Sequence, residues 1–370
     1  MSSVSGYVTY IEYTSGHAKG DIPADHLFNS PFQLGDVKTG TYTSDRVVET
    51  FTTGQTALAW TPVIKNQFVD ANGAVLGDVK VTTSDGTVVY GTFAADSEAT
   101  GTLASMTFKA ANGTSTTHTF TAGDKIAYVY DNIIIPQNDL PTLKAEMKSI
   151  PLIAKARRIA VYYSQIAAFQ AKTDYGFDLG DQLAEQAVGQ LSYEIDTEVV
   201  ELLSTTANEN TTVDQKAALT WSKTLPVGVS KTEHYQGFTE IVEIGRQFIY
   251  DATKKYVPNY MIISSSILPV LTFINGFTAA PAGQVAGPYF AGTLNSMKIF
   301  VSPAMEQGKF CIGCNGDDMM SSVAVYAPYL AIIPTQLLQY ADGGTSQGFS
   351  TMCDLKVLNA NLIVEGRIIA

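Results

Sequence analysis

At 370 residues the chain exceeds the usual single-domain length, so two or three packed units are expected. Hydrophobic residues make up 45% and charged residues only 16%, the balance of a well-buried globular protein with a weakly charged surface. Acids outnumber bases 35 to 23 for a net charge of −12, which argues against a general nucleic-acid binder, because affinity for a phosphate backbone comes from clustered Lys and Arg.

A surface so poor in charge suits a subunit covered by its neighbours, and equally a large β-rich domain with long buried strands. Three cysteines, Cys311, Cys314 and Cys353, are too few and too odd in number for a disulfide framework. The opening residues lack the basic-then-apolar pattern of a signal peptide, and no apolar run approaches the roughly 18 residues that cross a bilayer. The expectation is a soluble protein made in a reducing cytoplasm.

Residues 1–35 are punctuated by Gly, Ser and Asp and read as an extended arm, or as a dispensable tail. From about residue 45 to 135 the pattern is β, with runs such as Val79-Lys80-Val81-Thr82 and Thr87-Val88-Val89-Tyr90. Asn72-Gly73, Asp85-Gly86 and Asn112-Gly113 supply the positive φ of tight hairpin turns. His118 is the only histidine of this block and has no obvious partner. Residues 140–163 read as extended, with the basic cluster Lys155-Ala156-Arg157-Arg158 inside them. Three cations in four residues fit a phosphate site, but in an acidic chain we read Lys155, Arg157 and Arg158 as candidate contacts to carboxylates of a neighbouring subunit.

A long helix is predicted next. Asp178 is its N-cap, and Asp181 lies in the first turn, where a carboxylate favours the positive end of the helix dipole. Leu179, Leu183, Ala187, Leu191, Ile195, Val199 and Leu202 recur every three or four residues over six to seven turns, and residues 204–210 read as a polar loop. Further on, residues 238–256 read as a helix stopped by Pro258, residues 260–263 as a buried strand and residues 265–274 as another helix. A Gly-, Pro- and Ala-rich loop is expected over residues 276–292, and strands at 298–301, 323–326 and 358–369. Helices mixed with strands, without strict alternation, indicate an α+β class.

Little in the chain points to catalysis. Cys311-Ile312-Gly313-Cys314 has the spacing of a redox or half-zinc motif, but it continues a strand and has no further ligand pair near it. Asp317-Asp318 after Gly316 could hold a cation weakly, although adjacent acids in a loop usually face water. The four histidines are dispersed, and no nucleophile elbow, phosphate loop or dinucleotide fingerprint is present. The reading is no enzyme, no cofactor and no metal.

Several short motifs, in order, resemble the major capsid proteins of T-even-like myoviruses. Tyr130-Asp131-Asn132 with Ile135-Pro136 is similar to that family's entry to an extended segment. Lys155-Ala156-Arg157-Arg158 precedes a short helix, and Tyr175-Gly176-Phe177-Asp178 leads into Glu185-Gln186 and Glu194-Ile195-Asp196, as in the family's spine helix. Pro258 to Ser264, Gly292-Thr293-Leu294, Ser302-Pro303, Val325-Tyr326-Ala327-Pro328-Tyr329 and Gly348-Phe349-Ser350-Thr351 continue the likeness.

The resemblance implies a Hong Kong 97-like phage capsid fold with a β-rich insertion. Its expected parts are an N-terminal arm (1–35), an extended loop and its strands (36–65 and 128–163) and the insertion (66–127). A peripheral domain with the spine helix (164–205), an axial domain (206–345) and C-terminal strands returning to the peripheral domain (346–370) complete it. It implies a homo-oligomer of hexamers and pentamers forming an icosahedral shell around double-stranded DNA, without sequence-specific binding and without a membrane. Vertex, portal, scaffold and cement proteins are the implied partners, and the virion, assembled in the host bacterial cytoplasm, is the implied location. Two departures stand out: Met1 opens almost directly into the arm, so the expectation is that the chain either lacks the family's propeptide or uses a separate scaffold, and residues 66–127 match only loosely. Alternatives are a pentameric vertex paralogue, an encapsulin-like shell protein or, from another class, a tail or adhesin β-protein.

Overall fold

The turn dipeptides close hairpins as their chemistry requires. In a computed structural model describing residues 3–35, 42–131, 141–281 and 287–369, Asp85-Gly86 joins the antiparallel strands Val79–Thr82 and Val88–Thr92. Asn112-Gly113 joins Thr107–Ala110 to Ser115–Thr116, and Asn72-Gly73 joins Phe68–Val69 to Val75–Gly77. Gly73, Gly86 and Gly113 have φ of 83°, 87° and 80°, a region that costs other residues strain.

The chain forms two units, one of Met1–Tyr10, Pro31–Gln33 and Lys148–Ala370, the other of Ile11–Ser30 and Leu34–Met147. The second is built on a six-stranded antiparallel sheet in the order Arg46–Thr50, Lys125–Val129, Val79–Thr82, Val88–Thr92, Thr107–Ala110, Ser115–Thr116. Val47, Val79, Val81, Ile126 and Tyr128 fill its core. Three buried carboxylates are satisfied there, Asp78 by the Asn66 and Phe93 N–H groups at 2.7 and 2.9 Å. Asp124 accepts from the Thr121 N–H at 3.0 Å and lies 3.1 Å from His118 Nε2. The histidine that has no sequence-evident partner therefore has one six residues away, with its ring edge-on to Phe108 and Phe120. Glu49 accepts from the Tyr128 hydroxyl, from the Ala59 N–H at 3.2 Å and from Gln55 Nε2 at 3.3 Å. Burial holds its carboxyl above the usual range, and these donors pull the other way.

The first unit contains a seven-stranded mixed sheet in the order Thr220–Ser222, Ile363–Ile369, Lys309–Gly313, Tyr260–Ile263, Met297–Val301, Tyr289–Leu294, Phe277–Ala279. Helix Phe238–Thr253 buries Phe238, Val242 and Ile249 in its core with Phe310 and Ile312, and Lys254 leaves the helix at a φ of 53°. The predicted helix at 265–274 shortens to Leu268–Leu271. The expected loop at 276–292 instead holds the edge strand Phe277–Ala279 and part of its neighbour Tyr289–Leu294, paired through Phe277↔Leu294, Thr278↔Thr293 and Ala279↔Gly292. The last strand begins at Ile363, after a 3-10 turn at Ala360–Leu362. Residues 1–35, read as an arm, carry strands Ser5–Ser15 and Leu27–Asn29, and Val8 is buried with Leu152, Ala327 and Leu358. Asn132, Ile135 and Pro136 of the family-like entry motif lie outside the described residues.

Gly366 faces Phe310 in register, and a Cβ there would lie 2.2 Å from the Phe310 Cζ. Phe310 is fully buried and packs edge-on against Phe238 at 5.3 Å, so its ring has nowhere to go. Gly366→Ala is expected to destabilise the protein by about 1–3 kcal/mol through overpacking. A lowered urea midpoint would show it, and an unchanged one would mean that the ring swings aside freely.

Candidate assembly surface

The long helix runs Leu179–Asn210, and Asp178 caps it by accepting from the Gly180 and Asp181 N–H groups at 2.9 and 3.4 Å. It extends through the residues read as a polar loop. Thr206 and Ala207 are buried, and the Thr206 hydroxyl bonds back to the Leu202 carbonyl at 2.8 Å, so a polar sequence is satisfied within the helix. The apolar stripe also drifts. Ala187 and Leu191 meet Phe349, Ile159 and Val161, whereas Val200, Leu203 and Ala207 join the core of the seven-stranded sheet.

The partner of the helix's first half is a second, antiparallel sheet of Lys155–Ser164, Gly344–Val357 and Ala324–Pro334, with Leu338–Gln339 also paired to Gly344–Val357. Its register explains the basic cluster. Side chains alternate between the two faces of a strand, so residues directly opposite share a face. Ile159 pairs with Phe349, and both pack under the helix. Arg157 lies on that same face, where its guanidinium bonds Glu198 of the helix within one chain. Burial disfavours the Arg157 charge, and the Glu198 carboxylate more than offsets it. Arg158 points the other way, opposite Ser350, and is exposed. Neither Arg158 nor Lys155 makes an ion pair among the described residues. The sequence thus found the cluster but could not sort its members by face without the strand register.

Beyond that sheet the chain leaves unusual amounts of apolar surface open. Strand Leu143–Ile153 buries only Leu152, and Leu143, Ala145, Met147, Ser149, Pro151 and Ile153, all on one side of it, are exposed. Helix Gln165–Gln170 buries nothing, with Ile166 at 73% and Phe169 at 72% exposure. No helix is long and apolar enough to cross a membrane, and no group of His, Cys, Asp or Glu is arranged to hold a metal, among the described residues. Cys311 and Cys314 are buried free thiols, and burial raises both above the ordinary thiol range.

Comparison with known proteins gives first a class and then a family. The curated relatives are phage head proteins. The chain is 25% identical over 208 residues to the major capsid protein of Enterobacteria phage T6, covering 49% of this chain and 39% of that protein. It is 25% identical over 208 residues to the major capsid protein of Enterobacteria phage T4, covering 49% and 38%. The match thus spans well under two thirds of these relatives' own length. The family model "Major capsid protein Gp23" matches residues 37–358, and the chain belongs to that family. Among solved structures, one from Mycobacterium phage Bobi has a TM-score of 0.43 and 11% identity, over 65% of this chain and 80% of that one. The holo-SrpI encapsulin of Synechococcus elongatus has a TM-score of 0.38 and 12% identity, over 62% and 79%.

Proposed function

We propose that the chain is the repeating subunit of a phage head, assembling as hexamers and pentamers into an icosahedral shell around double-stranded DNA. The observation that carries this reading is the apolar surface left open on regular structure. The strand Leu143–Ile153 is paired to Ser5–Ser15 yet buries one side chain, and helix Gln165–Gln170 buries none, so most of the apolar burial that would offset the entropy of ordering them is left for a partner. Contiguous exposed apolar surface marks contact with other proteins. Family membership supports the same conclusion.

In this reading the protein works by contact and not by catalysis, and its place is the virion. The long helix is the spine of a peripheral domain, and 66–127 are a β-rich insertion in a Hong Kong 97-like plan; the axial domain expected at 206–345 gives up Ala324–Pro334 and Leu338–Gln339, which pair into the sheet beneath the spine. Lys155 and Arg158 take carboxylates from neighbours, while Arg157 is occupied by Glu198. Portal, scaffold, vertex and cement proteins complete the particle.

Negative-stain electron microscopy of the purified chain tests the proposal. Closed shells, tubes or hexamer and pentamer rings are the expected result. A monodisperse monomer or dimer, unchanged by a co-expressed scaffold, would overturn it.

A further inference from the structure

One face of the sheet under the long helix is covered by that helix; the other is covered at its Ala327 end by Val8 and Leu152 and lies open from Arg158 to Tyr162. Arg158, Ala160 and Tyr162 stand opposite Ser350, Gly348 and Ser346, and the last of these is flanked in turn by Leu338 and the first by Ile333. All of these belong to the face away from Phe349 and the helix. Its central strand therefore presents small residues, and its flanks present large ones: Tyr162 at 60% exposure, Leu338 at 57% and Ile333 at 45%. Tyr340 extends the rim, with its ring 6.3 Å from that of Tyr162. The Tyr162 hydroxyl donates to Asp342 at 3.3 Å, and that carboxylate's charge holds the phenol above its usual range. These contacts restrain Tyr162, which lowers the entropy that its side chain loses when something docks on it.

We infer that this open part of the sheet face is a docking surface for a second copy of the chain, with Arg158 receiving a carboxylate from that copy. The inference rests on the shell reading above and adds the surface through which one contact is made. Three features select the occupant. The face is small-floored and rimmed by Tyr, Leu and Ile with a lone Arg, a composition that suits a protein interface core. A single cation is far too little for a nucleic-acid backbone, whose binders neutralise several phosphates. Arg158 makes no ion pair among the described residues, while every copy carries 35 acids against 23 bases, so another copy complements its charge.

The test compares assembly of the full chain with assembly of variants in which exposed residues become acidic. Leu338→Glu and Arg158→Glu are exposed on this face, and Val227→Glu, at a residue 105% exposed, is the control. Circular dichroism and thermal midpoints of both face variants are expected to match the unaltered protein, because neither residue is buried. Their assembled fraction, read by sedimentation and electron microscopy, should fall about tenfold or more, since an unpaired charge at an interface is costly. The control should assemble normally. Face variants that assemble like the unaltered chain would overturn this inference and leave the shell reading standing. Equal loss in the control would also overturn it, by removing the specificity of the face. Failure of the unaltered chain to assemble under any condition would overturn the shell reading, and this inference with it.

Discussion

Replacing Phe349 by alanine should lower the stability of the protein by about 3–5 kcal/mol, the range for removing a buried phenylalanine. Phe349 is 5% exposed and, with Leu191 at 2%, is one of the large covered side chains between the long helix and the sheet beneath it. Its companions there are Ala187, Leu191 and the partly buried Ile159, Val161, Val188 and Ile332, none of which can move to fill an aromatic-sized void without losing its own contacts. The effect should also be local. The second half of the helix is held independently by Val200, Leu203 and Ala207. Amide hydrogen exchange is expected to accelerate around residues 184–191 and to stay slow around 200–207. Uniform acceleration along the helix would show that the two anchorages are not separate.

A second large effect is expected from Tyr128→Phe. The Tyr128 hydroxyl is the donor to a carboxylate, Glu49, that is only 8% exposed. Losing it leaves a buried anion short of a hydrogen bond, at about 1–3 kcal/mol. The size should depend on pH with a definite sign. Burial raises the folded Glu49 pKa above its ordinary 4.5. From that value upward the folded state therefore holds a proton that the unfolded state has released, so stability falls as pH rises through this window. Removing the Tyr128 donor raises the folded pKa further and widens the window. The Tyr128 hydroxyl also accepts from the Trp60 N–H at 3.2 Å, a loss that is the same at every pH, so the variant's deficit should be smaller below the ordinary Glu pKa and largest near neutrality, as read from urea midpoints across pH. Adding Glu49→Gln to both the unaltered chain and the Tyr128→Phe variant is expected to abolish the difference in slope between them. A deficit equal at acidic and neutral pH would show that Glu49 is not the group responsible.

Local signals were legible where one residue's own chemistry decides the backbone. The Asn-Gly and Asp-Gly turns needed only a positive φ, and Asp178 needed only a free pair of helix N–H groups. Long-range satisfaction was not legible. Residues 204–210 look like a loop because they are polar, yet they are helical since Thr206 bonds its own helix and Ala207 is packed by a sheet distant in sequence. Residues 276–292 look like a loop because Gly and Pro are frequent, yet Tyr289–Leu294 pairs with Met297–Val301 and offers its other side to Phe277–Ala279. His118 looked solitary because its partner sits across a turn rather than in a motif. The candidate surface divides in the same way. Lys155, Arg157 and Arg158 were visible as a cluster, but only the pairing of Lys155–Ser164 with Gly344–Val357 separates the arginine already held by Glu198 from the one facing outward.

The drifting stripe of the long helix has a mechanical meaning. Thirty-two residues at about 1.5 Å each make a rod of about 48 Å. One end is bedded on one sheet and the other on a different sheet, with no break between them. Tilting either sheet alone must bend the rod or slide one of its beds, so the two plates move as a framed pair joined by a beam. Outward pressure applied to either plate is then carried along the beam to the other, which spreads strain through the subunit before any single contact has to give way.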